Sequence, residues 1–244
     1  MATRCRSGSA GSAHQFLELV HQPLDLAAAG GPEGLFAGVE AEGRQCIVIQ
    51  GDVADSKFCK SAVEETVKTF GRLDILINNA GLAVGRGPID EGDFDDWERM
   101  IDTNIKGLLY VSRAVIPILK ENQNGQIINI ASIAGKQVYP GGNVYCATKH
   151  AVDALSQAMR IDLVSHGIKV TNIAPGAAET EFSIVRFKGD VSTANSIYDG
   201  YEPLTAKDIA ETVYFAATRP PHVTLNDIVI MPTAQASSTV FAKN

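Results

Sequence analysis

Tyr145 and Lys149 stand at i and i+4 in GGNVYCATK, a spacing that puts both side chains on one helix face. A free phenol, with a pKa of roughly 10, is too weak a base at neutral pH. A neighbouring ammonium favours phenolate and lowers that pKa, so Tyr145 can exchange a proton with an alcohol or carbonyl oxygen. Such a pair alone is common on helix surfaces; its context makes it specific. Ser132 ends the apolar run GQIINIAS, where its hydroxyl is set to hydrogen-bond the same substrate oxygen. NNAG, Asn78 to Gly81, closes a second apolar run with two amides and a permissive glycine. Asn104, in MIDTNIKG, falls inside a helical stretch, where Asn is a poor former and invites a local kink.

The elements that must carry these residues alternate from residue 45 onward. QCIVIQGDV reads as a buried strand ending at Asp52, and SKFCKSAVEETVKTFG as a helix stopped by Gly71. RLDILINNAG is a strand, Trp97 to Lys120 a helix with Pro117 in its last turns, and GQIINIAS a strand. NVYCATKHAVDALSQAMRIDLVSHG is a long helix ended by Gly167. IKVTNIAPG, TAKDIAETVYFAAT with Thr205 as N-cap, and NDIVIMPT complete a strand, a helix and a strand. Apolar strands alternating with helices imply an α/β fold, a doubly wound parallel sheet covered on both faces. Ligands of such sheets bind beyond the carboxyl ends of the strands, where NNAG, IAS and APG fall. We read residues 1–244 as one Rossmann-type domain with residues 1–44 atypical.

From about residue 45 to residue 236 the chain resembles the short-chain dehydrogenase/reductase family. The resemblance places the family's catalytic tetrad on Asn104, Ser132, Tyr145 and Lys149. It implies Tyr145 as acid/base, and Lys149 as the group that lowers its pKa and binds the nicotinamide ribose. Ser132 would orient the substrate oxygen, and Asn104 would hold a water that relays the proton. Asp52 and Val53 match the dipeptide that contacts adenine; Asn78, Asn79, Ala80 and Gly81 match the turn beside the cofactor. Pro175, Gly176 and Thr180, in PGAAET, match the loop that meets the nicotinamide carboxamide or the phosphates. A narrower resemblance, in YPGGNVYCATK, TEFSIVRFKGD and IVIMPTAQAS, is to the NADP-dependent 3-hydroxy acid dehydrogenases. It implies NADP, with NAD as the other candidate, and a small 3-hydroxy acid as the alcohol/carbonyl substrate. Arg186, in the loop after PGAAET, would then pair bidentately with a substrate carboxylate; an ordinary surface arginine is the other reading.

Composition narrows the classes. The chain has 244 residues, 45% hydrophobic, with a formal net charge of −7. An acidic protein gives no electrostatic support to a nucleic-acid or acidic-membrane partner, and no apolar run approaches the roughly 18 residues of a membrane span. Its four cysteines lack CxxC spacing, and its five histidines are dispersed. We therefore expect a reduced, cytoplasmic protein without a metal site. Residues 1–17 share the basic, Ser- and Ala-containing composition of a transit peptide, which leaves an organellar address as the other reading. DEGDFDDWE, Asp90 to Glu98, lacks the order of a calcium loop and fits the acidic start of a helix. GRG at 85–87 lacks the third glycine of a dinucleotide fingerprint, and Cys146 is expected to pack in the core.

The N-terminus is the anomaly. RSGSAGSA, Arg6 to Ala13, lies where the family keeps its phosphate loop, yet only Gly11 matches a glycine, and MATRC is too short and polar for the first strand. PLDLAAAG suggests a remnant second strand without the acidic or basic residue that selects NAD or NADP. We read residues 1–44 as a replaced, truncated or mispredicted Rossmann start, with genuine divergence as the other reading. With the first strand and glycine loop missing or degraded, the chain should be poorly soluble or bind cofactor weakly. The contrasting class is a cofactor-binding-defective, non-catalytic homologue acting through subunit association. The family resemblance implies a homodimer or homotetramer; Ala147, Ala151, Ala154 and Ala158 fit a close subunit approach and equally an intramolecular sheet contact.

Overall fold

The computed structural model describes residues 2–3, 16–19, 41, 43 and 45–244. In chain order the elements are β1 (Ala2–Thr3), β2 (Phe16–Leu19), β3 (Val48–Ile49), α1 (Ser56–Phe70) and β4 (Ile75–Asn78). Next come α2 (Phe94–Ile101), a π-helical turn (Asp102–Gly107), α3 (Leu108–Asn122), β5 (Gly125–Ile130) and a 3-10 turn (Ile133–Gly135). They are followed by α4 (Asn143–Leu163), β6 (Ile168–Pro175), β7 (Ala178–Glu179), α5 (Phe182–Arg186) and α6 (Val191–Ser196). The chain continues through β8 (Leu204–Thr205), α7 (Ala206–Ala217) and β9 (Asp227–Ile230).

The main sheet runs β3-β1-β2-β4-β5-β6-β9, parallel from β2 through β9, and β7 pairs with β8 separately. The central strands are apolar on both faces because helices cover both. On one side α1, α3 and α4 bury Val63, Val111, Val115 and Val152 against Leu76 and Ile127. On the other, Ala216 and Ala217 of α7 pack on Ile75, Ile128 and Ile173. Local signals were obeyed closely: Asp55 caps α1, Gly71 ends it in the left-handed conformation, and Thr205 and Asp208 form a capping box at α7.

Two N-terminal expectations need correction. The strand expected in MATRC and thought missing is supplied by β2, which lies parallel to β4 from Phe16↔Ile75 to Leu19↔Asn78. All four residues of FLEL pair with β4 and continue the sheet; among the described residues, MATRC contributes the two antiparallel residues of β1. The backbone of β4 therefore keeps a partner on that side. Second, the strand predicted over QCIVIQGDV shrinks to Val48–Ile49. Its partner is β1, two residues long, so the ladder has nothing further to bond. Arg6–Ala13 and PLDLAAAG lie outside the described residues.

A polar row crosses the otherwise apolar sheet. Asn78, Asn129 and Asn172 stand in register on β4, β5 and β6. Asn78 Nδ2 donates to Asn129 Oδ1 at 2.8 Å and to Ser112 Oγ of α3 at 3.2 Å, and Asn129 Nδ2 donates to Ser156 Oγ of α4 at 2.8 Å. Lys136, which ends the 3-10 turn, joins Asp153 of α4 at 2.7 Å and Asp227 of β9 at 2.8 Å. These bonds fix α3, α4 and the segment after β5 to the strand ends, which is where the site forms. Along α4 the buried face carries Tyr145, Lys149, Val152 and Ser156. Ala147, Ala154 and Ala158 are exposed on the opposite face, so the sheet does not account for them.

Candidate active site

The carboxyl ends of β4, β5 and β6 release three short segments into one region: Asn79–Gly81, Ser132 with its 3-10 turn, and Gly176 onward. Ser132 is extended (φ −173°, ψ 162°), and its Oγ caps that turn by accepting from the Ala134 N–H at 3.1 Å. The same hydroxyl donates weakly to Pro175 O at 3.5 Å. Tyr145 and Lys149 enter from the first turns of α4, 7% and 5% exposed. Lys149 Nζ donates to Ile130 O at 2.9 Å, which locks α4 to the end of β5, and stands 5.9 Å from the Tyr145 ring centre.

Asn104 lies within the π-helical turn, at the kink its residue type predicted. An inserted residue there breaks the regular helical bonding, a feature often found at functional sites. Its Oδ1 accepts from the Leu82 N–H at 2.8 Å; its Nδ2 donates to Leu82 O at 2.8 Å and to Thr148 Oγ1 at 3.0 Å. Thr148 in turn donates to Tyr145 O at 2.8 Å. The side chain thus clasps the segment after NNAG to the helix that carries Tyr145. Sequence reasoning missed Leu82 and Thr148 because one acts through its backbone and the other through an ordinary hydroxyl.

Burial dominates the electrostatics. It pushes the Tyr145 phenol well above its ordinary value; the nearby Tyr139 phenol acts in the same direction, and the hydrogen bond to Ser132 and the Arg186 charge oppose it. Burial lowers Lys149 to about 8. Burial thus outweighs the Ser132 hydrogen bond and the Arg186 charge, and Tyr145 stands as a protonated acid. Because the folded pKa of Lys149 lies below its unfolded value, the unfolded chain binds more protons between the two. Stability thus rises as pH climbs from about 8 towards the ordinary lysine value of 10.5. Lys149→Met removes this burden but orphans Ile130 O. We expect it to be more stable than the parent by on the order of 2 kcal/mol at pH 7. Urea unfolding should show that advantage shrinking as the pH passes 8; an advantage that grew with pH would contradict the assignment.

The remaining predicted positions divide. Asn78 does not face the strand ends: its amide is used inside the polar row. Val53 is buried in the core, while Asp52 Oδ1 accepts from the Ala54 N–H at 2.9 Å at the surface. Ala80 packs against the apolar core, and Gly81 borders Lys149 and Asn104. A Cβ on Gly81 would lie 3.2 Å from Lys149 Nζ and 3.4 Å from Asn104 Oδ1. Gly176 donates to Ile230 O at 2.8 Å, and exposed Thr180 accepts from the Phe182 N–H at 3.3 Å. Cys146 is buried, as expected for packing. Gly135 deserves a test of its own: a Cβ there would meet the Lys149 carbonyl oxygen at 2.6 Å. Backbone cannot yield as a flexible side chain does, so Gly135→Ala should cost about 1–3 kcal/mol in denaturant unfolding. It should also lower turnover by displacing the Ser132 turn; an unchanged midpoint would refute the tight packing.

Beside Tyr145 opens a cavity of about 480 Å³, lined by Trp97, Met100, Asn143, Tyr145, Arg86 and Arg186 among others. Arg186 lies between two rings, its guanidinium carbon 5.3 Å from the centre of Tyr139 and 5.5 Å from that of Tyr145. Nη1 donates to Tyr139 Oη at 2.7 Å. Nε and Nη2 are buried and have no acceptor among the described residues. Tyr139 was not foreseen: it precedes Tyr145 by a turn, VYPGG, whose folding back no spacing rule reveals. Among the described residues no group of His, Cys, Asp and Glu side chains could hold a metal ion, and no helix is long and apolar enough to cross a membrane.

Half-buried Ser132 and buried Tyr145 and Lys149 thus gather at the carboxyl edge of a parallel sheet. A family profile described as short chain dehydrogenase matches residues 27–190. The chain is 45% identical over 188 residues to sulfoacetaldehyde reductase 2 of Chromohalobacter salexigens, covering 77% of this chain and 75% of that one. It is 42% identical over 187 residues to an NADP-dependent 3-hydroxy acid dehydrogenase of Schizosaccharomyces pombe, covering 77% and 72%. Among solved structures, the closed form of serine dehydrogenase complexed with NADP+ aligns with a TM-score of 0.73 at 43% identity, covering 80% of this chain and 79% of that one. The protein belongs to the short-chain dehydrogenase family and is an oxidoreductase.

Proposed function

We propose that the protein interconverts a small 3-hydroxy acid and its carbonyl form with NADP(H), Tyr145 exchanging the proton and Arg186 receiving the carboxylate. The observation that carries this reading is the free, buried Nε–Nη2 edge of Arg186 beside Tyr145. A guanidinium edge matches the two oxygens of a carboxylate, and buried donors without partners are otherwise unfavourable. Both named relatives act on molecules that join a hydroxyl or carbonyl to an acidic group, a 3-hydroxy acid in one and sulfoacetaldehyde in the other.

The residues present fit the implied cofactor at its nicotinamide end. Lys149 has three donors, of which Ile130 O takes one, and Gly81 leaves open the space beside it that a Cβ would fill. Lys149 would hold the ribose, Asn79, Ala80 and Gly81 would border it, and Pro175, Gly176 and Thr180 would flank the carboxamide. Asp52 and the Val53 backbone would meet the adenine. NADP(H) supplies or accepts the hydride at the carbinol carbon. Ser132 orients the substrate oxygen, and the protonated Tyr145 phenol gives its proton to that oxygen in reduction and recovers it in oxidation. The Asn104 clasp keeps Tyr145 and the Gly81 segment in register. Exposed Ala147, Ala154 and Ala158 support association of α4 with a second copy as homodimer or homotetramer.

Titration of NADPH and NADH against the purified chain tests the reading against a non-catalytic one. Tight binding of NADPH, weaker binding of NADH, and NADPH release from NADP+ with 3-hydroxypropionate or serine are expected. No binding of either nucleotide, with a folded protein, would overturn it.

A further inference from the structure

We propose that Tyr139 is a specificity-determining positioning residue, which holds one arm of Arg186 so that the other edge points at the acidic group of the substrate. The inference rests on the reading of Arg186 as the anion receptor and adds to it the device that aims the receptor. Tyr139 is half-buried in the turn before α4, and its Oη accepts from Arg186 Nη1 at 2.7 Å. The residue does not line the cavity, whereas Arg186 and Tyr145 do. Tyr139 therefore acts through Arg186.

A guanidinium is planar, with its donors in a fixed fork. Once Nη1 is tied, rotation of the plane is stopped, and Nε and Nη2 share the one remaining buried edge. The Tyr139 and Tyr145 rings at 5.3 and 5.5 Å keep the plane from swinging. The nature of the anchor matters as much as its place. A carboxylate partner would have neutralised the arginine; a phenol leaves its charge intact. Burial raises the Tyr139 phenol above its ordinary value, against the pull of Arg186, and so keeps it neutral. Of the cavity's three carboxylates, Glu91, Asp93 and Asp96, two pair with Lys188, Asp96 at 2.7 Å and Asp93 at 3.6 Å. No carboxylate is paired with Arg186 among the described residues, which leaves its charge for a ligand.

The test compares the parent, Tyr139→Phe, Arg186→Gln and the double variant, each with 3-hydroxypropionate and with a neutral alcohol of the same length. Losing the anchor to a charged donor should raise KM for the hydroxy acid about tenfold in Tyr139→Phe, with kcat changed by less than about threefold. In the Arg186→Gln background the same change should have no further effect on KM, because the two act as one unit. Thermal unfolding and NADPH titration separate this from a folding defect, which would move both substrates together. If Arg186→Gln raises KM and Tyr139→Phe does not, the positioning role is wrong and the receptor stands. If neither raises it, the receptor reading fails as well.

Discussion

Tyr145→Phe should lower kcat by about 10²–10⁴, the range that a positioned acid/base contributes, while leaving the fold and NADPH affinity in place. The substitution removes one oxygen. The ring keeps its packing on Phe182, 5.5 Å away, and the helix keeps the Lys149 bond to Ile130 O. What disappears is the proton at the substrate oxygen and the hydrogen bond to Ser132. Because burial holds the phenol protonated, the loss should be seen first in the reducing direction, where Tyr145 must donate. Single-turnover rates with pre-bound NADPH separate chemistry from binding. Rates within a few-fold of the parent would show that another group, or water, delivers the proton.

Arg186→Gln should reduce kcat/KM for a 3-hydroxy acid by about 10²–10³, because two charge-assisted hydrogen bonds to one carboxylate are lost together. A neutral alcohol of the same length makes neither bond, so its loss should be at least tenfold smaller. The variant should fold as well as the parent or better, since it removes a buried cation whose free edge has no protein partner. Steady-state kinetics on the matched pair of substrates, with a thermal melt, checks both halves. Equal losses on the two substrates would assign Arg186 to shape rather than to charge.

Much of this arrangement was legible in the chain. That Tyr145, Lys149 and Ser132 meet at one sheet edge could be anticipated because helix spacing and the ends of apolar runs fix where side chains emerge, and both rules are local. Asn104 was found through its poor helix propensity, and the structure shows the cost as a π-helical turn. Asn78 was misplaced because NNAG reads as one turn, whereas strand alternation sends its side chain inward to Asn129 and Ser112. Partners set by tertiary folding left no local mark: the Asn104 clasp on Leu82, the network around Lys136, and Tyr139 on Arg186. The first strand was sought by its usual distance from the glycine loop. Phe16–Leu19 answers instead by its register with β4.

The most direct test is the rate of NADPH formation by the unmodified chain with NADP+ and 3-hydroxypropionate, beside the same alcohol with its carboxylate replaced by a neutral amide. Saturable turnover of the acid, with kcat/KM about 10²-fold or more above the amide, is the predicted result. Turnover of both at equal efficiency, or none of the acid by a folded, NADPH-binding protein, would contradict the account.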